Sequence, residues 1–420
     1  MRGAHSLSRL GSLITKPIRR VVSWCERHHA RSFRHIRDTL MELHSRQRDG
    51  LPFDKHMIRN GQGAVFTLED MRSISGPLGV RDTYTTLFQT TEIHDFNLFM
   101  PNFAGSGALA ASSPIRAGTG FFHVLRNGKI KQQIELLLLA LQNRLDLYFV
   151  ETGFVTCVTN VNDPKIPLEF RRCYSYIVDD RGFYYDALIP SRIEQYLNSE
   201  ASSLGAVEQA RARRVIRALR ENKLSKYNYQ PDRIPESMQN SRKKVLVLDQ
   251  SRRDASVTRG MADENTFAAM LHAALEENPD SDIIIKTHPD SINRGRGSYY
   301  AKVRSQGRII KVNEPVNPYS LLEIADKVYV CSSLAGLEAL LCEKETHVFG
   351  MPVYAGWGLT RDRQTLERRK KRLTLEELVH ALYATFTLYI RPSANTLCEV
   401  EEFLEMLAGL RLQCNRLTTL

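Results

Sequence analysis

Four polar side chains fall at the ends of short apolar runs in the second half of the chain: Asp249 after VLVL, His288 after IIIKT, and Ser332 with Ser333 after VYVC. Such runs, alternating with amphipathic stretches, read as parallel strands covered on both faces. Parallel strands present their C-terminal ends along one edge, so the four side chains are expected to line one crevice. Taken singly, each has an ordinary explanation. Asp249 can close a turn, His288 can bond a carbonyl, and either serine can cap the helix that follows. Their coincidence at three strand ends favours a site. Glu338 lies six residues beyond Ser332 in the expected helix LAGLEALL, where a carboxylate can accept hydrogen bonds from paired hydroxyls such as those of a ribose. The start of that helix attracts phosphate. Pro289 holds His288 extended, which places its imidazole for a phosphate or a base. Neither a P-loop nor a GxGxxG fingerprint accompanies these residues. The set points to a nucleotide, and a nucleotide-sugar donor fits it better than ATP.

The elements that must position these residues follow from the same pattern. KVLVLD, DIIIKTH, RIIKV, KVYVC and THVFG read as strands, separated by the helical stretches ENTFAAMLHAALEEN, PYSLLEIAD and SLAGLEALLCE. Between Gly63 and Arg220, AVFTL, DLYFVE and YSYIVDD alternate with KQQIELLLLALQNR and a plainly helical run ending at Asn222. The polar, proline-bearing stretch YNYQPDRIPESMQNSRKK reads as a linker. The expected organisation is a basic helical extension (1–62), an α/β domain (63–227), a linker (228–243), a second α/β domain (244–392) and a C-terminal helix (393–420). Two α/β domains enclose a cleft, a common place for ligands.

The net charge of +11 is unevenly placed: residues 1–60 hold thirteen Lys/Arg against five Asp/Glu, or +8 of the total. Residues 6–48 read as two basic helices broken at Pro17, with Leu10, Leu13, Ile14, Ile18, Val21, Val22 and Trp24 on an apolar side. Such a segment suits an anionic membrane surface, a solvated helix packed on the body, or a basic tail. Nucleic acid is the weakest partner, because the basic residues lack interleaved aromatic stacking positions. His5, His28, His29, His35, His44 and His56 form no compact ligand set, so no metal is expected. Seven scattered cysteines without a CxxC pair suit a reducing cytoplasm. No run reaches the roughly 18 apolar residues of a membrane span, and LGSLIT is too short for a secretory signal.

FGMPVYAGWGLT (Phe349–Thr360) follows the last apolar strand and spends three glycines, a proline and one of two tryptophans on a single loop. With it, SKYN (225–228), VLVLDQSRRDASV (245–257), KTHPD (286–290), CSSLAGLEALLCEKETHVFGMPVYAGWGLTRDR (331–363) and RLTLEELV resemble the bacterial capsule polysaccharide synthesis family. ETGF (151–154) and YSYIVDDRGFYYDALIPSRIE are similar to further segments of it, and the resemblance covers about residues 100–410. Characterised members are retaining β-Kdo glycosyltransferases that use CMP-Kdo. The resemblance implies a GT-B-like fold of two Rossmann-type domains. It implies Asp249 as nucleophile and Glu151 as general acid/base. His288 and Pro289 match the family's HP motif, and Ser332 and Glu338, with Ser333 beside them, its nucleotide motif. Lys286, Tyr354, Gly356 and Trp357 are expected at the rim of the donor site. Thr152 stands where the family usually carries an acid, and GSG (105–107) where a Gly-Trp-Gly element is expected.

The expected activity is transfer of Kdo from CMP-Kdo to a lipid-linked or Kdo-terminated acceptor, with no cofactor. The expected place is the cytoplasm, peripherally on the inner membrane. Expected partners are the nucleotide sugar, a glycolipid or oligosaccharide acceptor, an anionic membrane surface met by residues 1–60, and capsule assembly proteins. A non-catalytic assembly partner that keeps the fold is the alternative.

Overall fold

A computed structural model describes residues 29–50, 65–66, 115–116, 119–123, 137, 146–159 and 166–418, the last range without 253, 294, 296 and 392–396. The expected helix before residue 29, the GSG element and most of KQQIELLLLALQNR lie outside these residues.

The strands that position the site are β1 (Thr119–His123), β2 (Asp146–Thr152), β3 (Ser175–Asp179), β4 (Lys244–Leu248), β5 (Asp282–Lys286), β6 (Ile309–Val312), β7 (Lys327–Val330), β8 (Glu345–Val348), β9 (Arg361–Asp362), β10 (Thr387–Ile390) and β11 (Leu397–Cys398). The helices used below are α1 (His29–Gln47), α2 (Arg192–Asn198), α3 (Ala206–Glu221), α4 (Ala255–Arg259), α5 (Glu264–Glu276), α6 (Pro289–Asn293), α7 (Pro318–Ile324), α8 (Ala335–Leu341), α9 (Leu375–Val379) and α10 (Val400–Thr418). Their starts carry the expected chemistry. Asp263 and Thr266 form a capping box for α5, Asn317 caps α7 ahead of Pro318, and Thr374 with Glu377 boxes α9.

The fold is α/β, GT-B-like as expected; among the described residues it has two large sheets and a two-stranded antiparallel pair, Val65–Phe66 with Ile115–Arg116. One sheet has six strands in the order β9-β8-β7-β4-β5-β6, every neighbour parallel. Strands β4 and β5 are buried along their whole length, which explains their unbroken apolar runs. Alternation still operates between the two faces. Leu246, Leu248 and Ile284 join one core, whereas Val245, Val247, Ile283 and Ile285 join another with Phe267 and Tyr329.

The other sheet, ordered β11-β10-β3-β2-β1, is mixed: only β1 and β2 run parallel, and the remaining neighbours are antiparallel. Two of its strands come from the C-terminal end of the chain, since β10 pairs with β3 through Thr387↔Ile177. The chain therefore returns to the first sheet at residues 387–390, inside the range expected above for the second domain. Helix α10 follows it and packs on α3, where Arg211 pairs with Glu401 at 2.9 Å. One apolar core contains Phe154 and Val178 of the first half, Ile284 and Val330 of the second, and Phe403 of α10, so both sheets share it.

Helix α1 is docked on the body, the packed alternative among those open for the basic segment. His44 Nε2 lies 3.1 Å from the Asp180 carbonyl, and Ser45 Oγ donates to the Pro190 carbonyl at 3.1 Å. Arg259 of α4 bonds Asp38 of α1 at 2.9 Å and Asp186 at 2.7 Å, so α1 touches both halves. No described helix is long and apolar enough to cross a membrane.

Candidate active site

The strand order of the parallel sheet reverses between β4 and β7, the place where α/β sheets open a crevice beyond the carboxyl ends of their strands. Asp249 leaves β4 and Ser332 follows β7 at that point. The adjacent Gln250 joins them: its Oε1 accepts the Ser332 N–H at 2.9 Å, and its Nε2 donates to Ser332 Oγ at 3.2 Å. Gln250 lay in the DQSRRD stretch, but a spacing rule for strand ends has no place for it.

Asp249 is 3% exposed. Its Oδ1 accepts the N–H groups of Gln250 at 2.9 Å and Tyr299 at 3.1 Å, and its Oδ2 accepts the Ser298 hydroxyl. Burial raises its pKa above the ordinary aspartate value, while these donors and the charge of Lys311 act to lower it. Lys286, at the end of β5, is buried and donates to the carbonyls of Thr287 at 3.0 Å and Glu314 at 3.2 Å. Burial brings its pKa down to about 8, while Glu314 and Asp249 favour its charge.

His288 is turned by the Asp290 N–H, which donates to Nδ1 at 3.1 Å. The neutral ring must then carry its proton on Nε2, leaving that N–H as its donor. Burial lowers its pKa and so favours this neutral form, against the charges of Asp290 and Asp254. Pro289 opens α6 directly after it.

Ser333 Oγ accepts the Ala335 N–H at 3.3 Å as the chain enters α8. Glu338, on that helix, is 6% exposed, and its Oε1 accepts the Ser225 hydroxyl at 2.6 Å. Its Oε2 is buried without a hydrogen-bond partner among the described residues. Burial pushes this carboxyl up to about 7, with the Ser225 bond acting the other way. A carboxylate this enclosed with one open oxygen is costly unless something supplies a donor.

Ser225 begins the SKYN segment, which the structure pins at both ends. Ser225 reaches Glu338 of the second half, whereas Asn228 donates to the Cys157 carbonyl at 2.8 Å and bonds Val158 at 2.7 Å in the first. Between them stands Lys226, whose surroundings come from both halves. Burial opposes its charge, yet Tyr227, Tyr184, Glu151 and Asp254 together hold the ammonium above the ordinary lysine value. Glu151, at the end of β2, accepts from the N–H and hydroxyl of Thr152 at 2.8 and 2.9 Å. Thr152, out of pattern by type, thus orients Glu151. Ser225, Lys226 and Ser298 went unassigned by strand-end reasoning; the quoted SKYN motif was the one signal for the first two.

The aromatics of the glycine-rich loop turn inward, while Gly358 is exposed and Gly356 half-buried. Tyr354 and Trp357 are both 0% exposed. Trp357 Nε1 donates to the Val353 carbonyl at 2.8 Å and the ring lies under Arg369, 5.4 Å from its centroid. Gly356 adopts φ +81°, and a Cβ there would meet Arg369 at 3.1 Å. The rings fill core because large aromatic surface is worth more buried than presented to water. Tyr354 supports the site from behind: its hydroxyl donates to the Ser333 carbonyl at 2.5 Å, so close to Gly336 that a Cβ there would overlap it. The run RRKKR is likewise tied down, with Arg368 and Arg369 on Glu194 of α2 and Lys371 on Ser203 at 2.8 Å. Among the described residues no three His, Cys, Asp or Glu side chains converge to hold a metal ion, and no disulfide joins the six described cysteines.

A family model for capsule polysaccharide biosynthesis proteins matches residues 132–391. The capsule polysaccharide modification protein LipA of Neisseria meningitidis serogroup A is 32% identical over 317 residues, 70% of this chain and 44% of LipA. The lipopolysaccharide-processing protein LpsZ of Rhizobium meliloti is 34% identical over 278 residues, 64% of this chain and 60% of LpsZ. Among solved structures, Thermosulfurimonas dismutans KpsC, β-Kdo 2,4 transferase, aligns with a TM-score of 0.62 at 35% identity, covering 69% of this chain and 86% of that one. The chain spans less than half the length of LipA and 60% of LpsZ. Matched by the family model over more than half its length, the chain belongs to the capsule polysaccharide biosynthesis family.

Proposed function

We propose that the protein is a retaining glycosyltransferase that moves Kdo from CMP-Kdo to a lipid-linked or Kdo-terminated acceptor in capsule biosynthesis. The observation that carries the nucleotide half of this reading is Glu338, buried beside the switch point with Oε2 unpartnered and Oε1 held by Ser225. Paired ribose hydroxyls would supply the missing donor. Likeness to the β-Kdo 2,4 transferase KpsC supports the sugar.

In this reading the His288 Nε2–H and the Ser332 and Ser333 region meet the cytidylate phosphate, and Lys286 stands beside Asp249. Asp249 attacks the anomeric carbon, and CMP leaves with its charge stabilised by these donors. The acceptor hydroxyl then displaces Asp249 from the same carbon, and Glu151 takes its proton. Two inversions give retention. No cofactor is assigned. An anionic membrane surface met within residues 1–60, at the inner face of the inner membrane, would bring a lipid-linked acceptor within reach.

Incubation of the protein with CMP-Kdo and Kdo-terminated glycolipids, following CMP release and product mass, tests the reading. Acceptor-dependent CMP release is expected. CMP binding without turnover on any acceptor would instead fit a non-catalytic assembly partner. Binding of the wild-type chain to anionic vesicles, unchanged after deletion of residues 1–60, would remove the membrane proposal.

A further inference from the structure

The two oxygens of Asp249 have different surroundings. Oδ1 accepts two backbone N–H groups, from Gln250 at 2.9 Å and Tyr299 at 3.1 Å, which engages both of its lone pairs. Among the described residues Oδ2 receives one donor, the Ser298 hydroxyl. That hydroxyl is itself oriented, because the Tyr300 N–H donates to Ser298 Oγ at 3.1 Å and so directs the serine proton toward the carboxylate. The serine's backbone is fixed as well. Ser298 forms a bridge with Ser251, its carbonyl accepts Arg252 Nε at 3.1 Å, and the Arg252 N–H bonds the Gly297 carbonyl at 3.3 Å. The segment 297–300 therefore grips the loop that carries Asp249.

We propose that Ser298 is a positioning residue for the displacement: it locks the Asp249 carboxylate with Oδ1 turned into the backbone and Oδ2 presented as the attacking atom. The inference rests on the reading of Asp249 as the nucleophile. In the first step the open lone pair of Oδ2 forms a bond to the anomeric carbon. The bond from that carbon to the phosphate oxygen breaks, and its electron pair leaves with CMP. In the second step the acceptor oxygen bonds the carbon, the Oδ2–carbon bond breaks with its pair returning to Asp249, and the hydroxyl proton passes to Glu151. Ser298 keeps its proton throughout. Its hydrogen bond weakens when Oδ2 loses charge in the adduct and is regained as the carboxylate departs, so it assists the second step most.

Other groups face Asp249 from every side: Lys286 on β5, Lys311 on β6, Arg252 after β4, Cys331 after β7, and Tyr300 beside Ser298. Replacing Ser298 leaves all of them in place, so a change in the carboxylate's titration reports the hydroxyl.

The test uses the full chain with CMP-Kdo and a Kdo-terminated glycolipid, comparing wild type with Ser298→Ala, Ser298→Thr and Asp249→Asn. The readouts are kcat and KM across pH, intact mass for the glycosyl adduct, and the Asp249 titration followed by carbon NMR of aspartate-labelled protein. Ser298→Ala is expected to lower kcat about tenfold or more, with the donor KM falling alongside it because the slowed step follows adduct formation. Adduct should accumulate, and both the acid limb of kcat/KM for the donor, which reports the free carboxylate, and the Asp249 titration should move to higher pH. Ser298→Thr should restore kcat to within about threefold. Unchanged kcat and titration in Ser298→Ala would overturn the inference. If that variant fails to fold by circular dichroism, Ser298→Cys, a weaker donor of similar size, takes its place with the same outcomes. The two readings fail differently. A wild type that releases no CMP, or an active Asp249→Asn, defeats the nucleophile reading and the inference with it. A dead Asp249→Asn beside a fully active Ser298→Ala defeats the inference alone.

Discussion

Asp180 and Glu338 are both buried acids, 0% and 6% exposed, and their surroundings differ in kind. Asp180, beyond β3, has its two oxygens answered by Arg48 at 2.9 Å and by Arg192 at 2.8 and 2.9 Å. Its neighbour Asp179 accepts backbone N–H groups from Arg181, Gly182, Arg192 and Ile193 at 2.8 to 3.1 Å. Burial and Asp180 push Asp179 up to about 6, with the backbone bonds working the other way, which leaves it ionised at neutral pH. Glu338 has one serine hydroxyl and an oxygen with no hydrogen-bond partner in the described structure. The first cluster anchors α1 to the body; the second, in the reading proposed above, receives the hydroxyls of a nucleotide. Burial alone does not separate architecture from a site.

The largest effect that sharpens this contrast belongs to Asp249. Asp249→Ala should cut CMP-releasing turnover by roughly 10³-fold or more, while thermal unfolding shows the fold intact. Turnover of ordinary size in that variant would remove Asp249 from the chemistry. On the anchoring side, Asp180→Ala leaves Arg48 and Arg192 buried without their carboxylate and should cost about 3–5 kcal/mol in urea unfolding. CMP affinity of the folded fraction should be unchanged. A loss of CMP affinity matching the loss of stability would break the distinction between the clusters.

Glu338→Gln is the intermediate case and should weaken CMP binding about tenfold by calorimetry, without loss of stability. Its pH dependence has a definite sign. Because burial raises Glu338 from 4.5 to about 7, the folded chain holds that proton more tightly than the unfolded one. Its contribution to stability falls as pH rises between those values and is level above them. Hydroxyl donors favour the ionised form, so CMP affinity should rise through pH 7 in the wild type and stay flat in Glu338→Gln. The smallest effect is that of Tyr354→Phe, which frees the Ser333 carbonyl and should cost about 1 kcal/mol. A modest rise in the CMP dissociation constant should accompany it.

The placement of the candidate residues along the fold is largely legible in the sequence. Asp249, His288, Ser332 and Glu338 sit at strand ends or on the helix that follows, because apolar run length and helix periodicity are local properties. The loop Phe349–Thr360 is legible as unusual, but the burial of Tyr354 and Trp357 is not: composition marks a glycine-rich turn without saying which side of its aromatics meets solvent. Gln250 and Ser298 are not legible from strand ends, and Ser225 and Lys226 only through the SKYN motif. Their partners lie 82, 113 and 49 positions away in the bonds to Ser332, Glu338 and Asp249, and Lys226 draws its neighbours from both halves.

By itself the sequence determined the α/β class, the parallel character of the second sheet and the edge on which its polar residues fall, since strand periodicity and turn chemistry are written within a few neighbouring residues. Tertiary structure alone decided that β10 and β11 complete the first sheet, that the strand order reverses between Asp249 and Ser332, and that Glu338 keeps an open oxygen. Those outcomes depend on which distant segments pair and on which donors reach a buried acceptor. Such pairings are settled by packing free energy over the whole chain rather than by any local pattern.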